Sequence, residues 1–355
     1  MKRTVFAGAL ACSLLMALPA AAQFGGMSVG KAVKDVGKAK DTFDDLTFTD
    51  QEEQELGSQI SAKLRDKYGV VQDKAVHKYV ALVGTVLAQQ STRPNLKWTF
   101  VVLDTDGVNA FAAPGGFVHI TKGALALIRS EAELADVLGH EISHITFKHT
   151  VNAILKTKRI GAATKVAAGD KVAQFVDAGY SIVLENNFNR SDEMAADKNG
   201  IGLANAAGYS PGGLADFLTR LADRNKNLKD RSGMFASHPE ADARLAAMKK
   251  QITTDKLDAK AQVVARYTSN ISFKPASIEG VAVVASATPE KKSGGVMGLT
   301  GAALGREKSS DSTVSSAGSR GVNPDRDAKG GPVKTLVPTS VTNAEVQDFR
   351  KGITG

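Results

Sequence analysis

Residues 140–144 read His-Glu-Ile-Ser-His. On a helix, histidines four residues apart point within about 40° of one another. His140 and His144 can therefore reach a single zinc ion from one face, while Glu141, turned to the flank, faces a water instead of the metal. Two neutral nitrogen ligands and a free carboxylate able to act as general base are the chemistry of a zinc peptidase. Such a centre needs a third protein ligand and an open fourth position. The stretch FNRSDEMAAD, residues 188–197, offers Glu193 as that ligand. Asp197 follows four residues later on the same helical face, where its carboxylate can accept the free ring N–H of a ligand histidine and fix its tautomer. Glu185 is the rival ligand, but it lacks a carboxylate partner at that spacing.

The chain holds six histidines. His149 extends the motif to HExxHxxxxH, but on a continuous helix it falls about 140° from His144 and joins the apolar stripe. It reads as a half-buried histidine and not as a ligand, and His77 and His119 read the same way. His238 stands apart, in a Ser-His-Pro loop after a helix over residues 211–221.

The elements that must position these groups follow from periodicity. Ser130 and Glu133 form a capping box, and Leu134, Leu138, Ile142 and Ile145 give the helix carrying the histidines one buried stripe. Amphipathic helices are expected over residues 49–68 and 73–90. Two short strands, 98–103 and 117–121, precede the histidine helix, the second after a Pro-Gly-Gly turn. A strand beside a metal cleft can pair with an extended peptide backbone, although an ordinary packed hairpin has the same signature. Residues 152–184 are helical in pattern, and 261–273 and 277–285 read as strands.

Composition bounds the class. With 355 residues, 43% hydrophobic and 23% charged, the chain is globular, of one or two domains. The net charge of +8 comes from lysines and arginines scattered among acids, which reads as solvation and not as a nucleic-acid surface. Residues 1–22 carry Lys2, Arg3, an apolar run and Ala20-Ala21-Ala22, the pattern of a cleavable signal peptide, so a periplasmic or secreted protein is expected. Lipid attachment at Cys12, the single cysteine, is the competing reading. Without Cys12 there is no disulfide, and a metal site must use histidines and carboxylates. Residues 23–48 form an N-terminal segment, 49–250 the catalytic domain and 251–285 an extension. Residues 286–335, rich in Ser, Gly and Lys, read as a disordered linker, and 336–355 as a tail with one short helix capped by Thr342.

Four stretches in order, NAFAAPGG, HEISH, DEMAAD and SHPEADAR, resemble the zinc metallopeptidase family of the CAAX prenyl proteases and HtpX, in its soluble periplasmic branch. The resemblance spans roughly residues 45–250. It implies a mainly helical (α+β) gluzincin domain with a small sheet beside the cleft. It implies one zinc held by His140, His144 and Glu193, with Glu141 as base and Asp197 behind the ligands. Asn189 departs from the serine usual there, and no tetratricopeptide repeat follows residue 250. The family histidine matched by His238 lies near the zinc. It is either an inhibitory fourth ligand, which the resemblance favours, or an oxyanion donor.

The expected function is a zinc endopeptidase of the cell envelope that cleaves unfolded or misassembled envelope proteins, in peripheral association with outer-membrane machinery. The alternative is a chaperone-like protein that holds the same clients in the same groove with little or no turnover. Zinc storage is disfavoured, because storage has no use for Glu141.

Overall fold

The computed structural model describes residues 47–160, 172–185, 188–227, 241–284 and 324–354. Residues 1–46, including Cys12 and the expected signal peptide, and the loop carrying His238 lie outside them. In chain order the described helices and strands are α1 (Asp50–Tyr68), α2 (Lys74–Ala88), β1 (Thr99–Leu103), β2 (Ala110–Ala113), β3 (Phe117–Thr121) and α3 (Lys122–Leu127). There follow α4 (Glu131–Thr146), α5 (His149–Ile160), α6 (Ala173–Glu185), α7 (Arg190–Ala207), α8 (Gly213–Asn225), α9 (Ala241–Thr254), α10 (Val264–Asn270) and α11 (Asn343–Thr354). Among the described residues no helix is long and apolar enough to cross a membrane.

The sheet has three strands in the order β1-β3-β2, with β1 parallel and β2 antiparallel to the central β3. Two strands were expected. The third, β2, reads Ala-Phe-Ala-Ala, and three alanines carry little strand propensity, so only pairing to β3 makes it a strand. The turn from β2 to β3 needs glycine: Gly115 has φ 70° and Gly116 φ 99°, and a Cβ on Gly115 would lie 2.4 Å from Gln54 Cα of α1.

Both faces of the sheet are buried, and strand alternation sorts the residues between two apolar clusters. Phe100, Val102, Ala110, Ala112, Val118 and Ile120 join the cluster that also holds apolar residues of α2, α4, α7 and α8. Val101, Leu103, Phe111, Ala113 and Phe117 face α1, α5 and α6. The helix α4 lies inside the first cluster, and every residue from Glu131 to Thr146 is buried, more than the half-core helix its stripe predicts.

Polar anchors fix both ends of α4. Ser130 caps its start by accepting from the Glu133 N–H, but Glu133 reaches back to Arg129 N, one residue beyond the expected capping box. Buried Glu131 accepts from Tyr79, Tyr209 and both arms of Arg266. Arg93 donates to the Ile145 carbonyl at the far end.

The C-terminal third departs most from expectation. Residues 261–273 hold the helix α10 instead of a strand, and from it Arg266 reaches Glu131 and Tyr267 reaches the Leu125 carbonyl, tertiary contacts that override the local strand pattern. Residues 278–280 form a 3-10 turn capped by Ser277. The chain from residue 324 onwards is neither linker nor loose tail. Asp325 takes a two-oxygen ion pair from Arg224, Tyr68 donates to the Arg326 carbonyl, and Gly331 N–H is shared by the Tyr68 and Asp104 carbonyls. The expected helix is present as α11, with a reciprocal Thr342 and Glu345 cap, and buries Val346 and Ile353 in the first cluster. These groups are far apart in sequence and carry no periodicity, so composition alone suggests disorder. The described residues from Phe48 onwards group into one compact unit.

Candidate metal centre

Helices α4 and α7 cross at two glycines. A Cβ on Gly139 would lie 2.8 Å from the Gly200 carbonyl oxygen, and one on Gly200 would lie 2.6 Å from His140 N. Only hydrogen side chains allow this backbone approach. Asn199 Nδ2 adds a 2.9 Å hydrogen bond to Ser143 Oγ across the same crossing. The consequence is that Glu193 and Asp197, on the turns of α7 before Gly200, stand against the histidine face of α4. Asn189, the residue that departs from the family pattern, caps α7 by accepting from Asp192 N–H at 3.0 Å, so the substitution keeps the cap.

His140 Nε2 and His144 Nε2 are 3.1 Å apart, and Glu193 oxygens lie 3.7 Å and 3.4 Å from them. A tetrahedral zinc with bonds of about 2.0–2.1 Å separates neighbouring ligand atoms by about 3.4 Å. The two nitrogens and the Glu193 carboxylate, whose Oε2 lies nearer His140 and Oε1 nearer His144, are therefore spaced as the protein ligands of one metal ion would be, and all three residues are buried. The two facing Nε2 atoms are the edge a cation would fill. On the opposite side of His140, Nδ1 is 2.9 Å from Asp197 Oδ1, the contact expected from the i, i+4 spacing of Glu193 and Asp197.

Arg244 of α9 completes the arrangement. Its Nε and Nη2 meet the two Asp197 oxygens at 2.7 Å and 2.6 Å, and its Nη1 lies 3.0 Å from Glu193 Oε2. At 1% exposure it is a buried cation between two buried carboxylates. Burial alone would raise the Asp197 pKa, but Arg244 and His140 hold its carboxyl far below the usual range, so it stays an acceptor. Glu141 differs. Burial pushes its carboxyl up to about 7, Glu193 adds to the rise, and His140 and Arg244 oppose it.

Of the sequence-predicted residues, His140, His144, Glu141, Glu193 and Asp197 are thus brought together. Glu185 ends α6, and its side chain, like His238, lies outside the description. His77 and His119 are structural: His77 donates to the Val71 carbonyl, and His119 meets Ser61 Oγ at 2.9 Å with burial lowering its pKa to about 3. His149 is not on the apolar stripe. The helix breaks at Phe147–Lys148, and His149 Nδ1 sits 3.0 Å from His144 Nδ1. Sequence reasoning gave Arg244 no role. Its signal was its place in SHPEADAR, but nothing in that stretch says which buried acids it meets. Strand β2 is the sheet edge next to α4, and Thr150 Oγ1 donates to its Ala112 carbonyl at 3.2 Å.

The fold and this centre define a metallopeptidase of the class that takes two histidines from one helix and a glutamate from a later one. The chain belongs to peptidase family M48, whose model matches residues 74–252. It is 27% identical over 240 residues to the beta-barrel assembly-enhancing protease of Yersinia pestis, covering 62% of this chain and 49% of that one. It is 30% identical over 184 residues to the mitochondrial metalloendopeptidase OMA1 of Arabidopsis thaliana (51% and 35%). To the metalloprotease LoiP of Escherichia coli K12 it is 27% identical over 155 residues (42% and 60%). The chain spans about half the length of the beta-barrel assembly-enhancing proteases it matches.

Proposed function

We propose that the protein is an exported zinc endopeptidase that cleaves unfolded or misassembled envelope proteins. The observation that carries this reading is the buried cluster of His140, His144 and Glu193 beside the buried Glu141. The names of the relatives, which speak of beta-barrel assembly, support an envelope substrate, and residues 1–22 support export to the periplasm. A donor set of two imidazoles and one carboxylate with no cysteine suits zinc.

When bound, zinc supplies a Lewis acid for the scissile carbonyl and makes a water acidic enough to attack near neutral pH. The remaining work belongs to the chain. Glu141 takes the proton from the attacking water and returns it to the leaving amine. Asp197 holds the His140 ring through Nδ1, and Arg244 holds Asp197 and Glu193 together, which orients the ligand side chains. His238 is assigned an inhibitory fourth-ligand role, and His238→Ala then raises cleavage. A fall in cleavage with unchanged metal content makes it an oxyanion donor instead.

The deciding experiment incubates purified protein with casein, with and without chelator, beside Glu141→Gln. Cleavage that needs metal and is lost in Glu141→Gln, which still binds one zinc, is the expected result. Binding of casein without turnover under every metal condition refutes the peptidase reading and favours a chaperone-like holder. Equal metal loss in Glu141→Gln and His140→Ala refutes the role of Glu141 as base.

A further inference from the structure

The corner between α4 and α5 is the feature that the mechanism above leaves unused. Had the helix run on, His149 would point about 140° away from His144. Instead α4 stops at Thr146, and Lys148 adopts φ 57°, a left-handed conformation that residues other than glycine rarely take. Several contacts hold this strained corner. Lys148 Nζ lies 2.5 Å from Glu53 Oε1, and the same buried carboxylate takes Arg93 at 2.8 Å. Arg93 in turn donates to the Ile145 carbonyl, and Thr150 donates to Ala112 of β2. The effect is to swing His149 back over the ring of His144.

His144 uses Nε2 toward the metal position, at 3.1 Å from His140 Nε2 and 3.4 Å from Glu193. Its Nδ1 therefore points away, and a ligand histidine needs an acceptor there to fix its tautomer and ring plane. His149 Nδ1 is 3.0 Å from that atom. With its own proton on Nε2, which lies 3.8 Å from Asp192 Oδ1, His149 is such an acceptor. Phe188 stacks on the His144 ring at 4.3 Å and borders His149 at 6.0 Å, and Phe147 borders His149 at 5.6 Å, so both imidazoles are packed in place. His149 is only 8% exposed.

We propose that His149 is a positioning residue for the metal centre: it accepts the Nδ1–H of His144 and fixes the orientation with which His144 meets the metal. His140 is backed by a carboxylate and His144 by a neutral imidazole, so the two ligand histidines are held by different chemistry. The inference rests on the metal reading of the centre, but not on peptidase activity.

The test measures zinc affinity of the full chain by competition with a chromophoric chelator, in the wild type, His149→Asn and His149→Leu. Asparagine places an acceptor oxygen where His149 has Nδ1, and leucine fills similar space with none. His149→Leu should bind zinc about 10- to 100-fold more weakly, and His149→Asn should recover most of that loss. The visible spectrum of the cobalt-substituted protein should change in the leucine variant and return toward wild type in the asparagine variant. Wild-type affinity in His149→Leu overturns the proposal, as do equal losses in both variants, which would mean packing alone. Should the leucine variant not fold, nitrogen-15 shifts of the wild-type zinc protein decide: Nδ1 protonated on His144 and bare on His149 supports the proposal, and the reverse assignment overturns it. A wild-type chain that binds no zinc overturns the metal reading itself, a distinguishable result.

Discussion

Replacing Gly200 by alanine tests how the centre is assembled. The new Cβ would stand 2.6 Å from His140 N, 2.8 Å from Gly139 C and 3.0 Å from His140 Cα, all backbone atoms that cannot rotate away. Ordinary contact begins at 3.4 Å, so α7 must withdraw from α4 by about 0.8 Å. Glu193 and Asp197 ride on the same helix, and a shift of that size exceeds the tolerance of about 0.2 Å in a metal–ligand distance. Overpacking costs about 1–3 kcal/mol, while alanine gains about 1 kcal/mol over glycine inside a helix. The net stability loss is therefore small, about 0–2 kcal/mol, whereas zinc affinity should fall by about 10- to 100-fold. Gly202 lies on the same helix with nothing within 4 Å, and Gly202→Ala is the control. It should gain up to about 1 kcal/mol and keep its zinc. The assays are chelator competition for zinc and urea melts of the same preparations. Unchanged zinc affinity in Gly200→Ala, or equal behaviour of the two variants, would refute the claim that this crossing places Glu193.

Arg244→Met should lower stability by about 3–5 kcal/mol, because Asp197 and Glu193 are left as adjacent buried carboxylates, and urea melts will show it. Removing everything after residue 285 should lower the melting midpoint clearly, since it deletes the Arg224–Asp325 pair and the buried Ala328, Val337, Val346 and Ile353; an unchanged midpoint would show that this segment contributes nothing. Asp136 gives a pH test. Burial raises its pKa well above the ordinary value, Asp216 and Glu133 add to the rise, and the N–H groups of Leu214 and Gly213 oppose it. A carboxyl whose folded pKa is raised contributes stability below its unfolded pKa of about 3.9 and loses it as pH rises toward the folded value. Asp136→Asn should therefore gain on the wild type as pH rises above the ordinary carboxylate range in urea melts, and a gap that stays constant or narrows would contradict the sign.

The sequence by itself determined what is local and periodic. The spacing of His140 and His144, the flank position of Glu141 and the paired carboxylates Glu193 and Asp197 follow from 3.6 residues per turn, and the helix faces around them follow from the same period. Helices α1 and α2 were legible for that reason over 49–68 and 73–90, and the structure shows Thr49 and Asp73 as their caps. The tertiary structure decided what depends on close approach between distant segments. β2 is a strand only because β3 pairs with it, and the segment from residue 324 is ordered only because α1, α2 and α8 supply its partners. Arg244 reaches Glu193 and Asp197 from a helix about fifty residues away, and the two glycines that bring α4 and α7 together have no period to mark them. His149 shows the limit most plainly. Helical extrapolation turned it away from His144, and a single left-handed residue, held by the buried Glu53 of α1, turned it back. A break in a helix is paid for by contacts that local sequence does not contain.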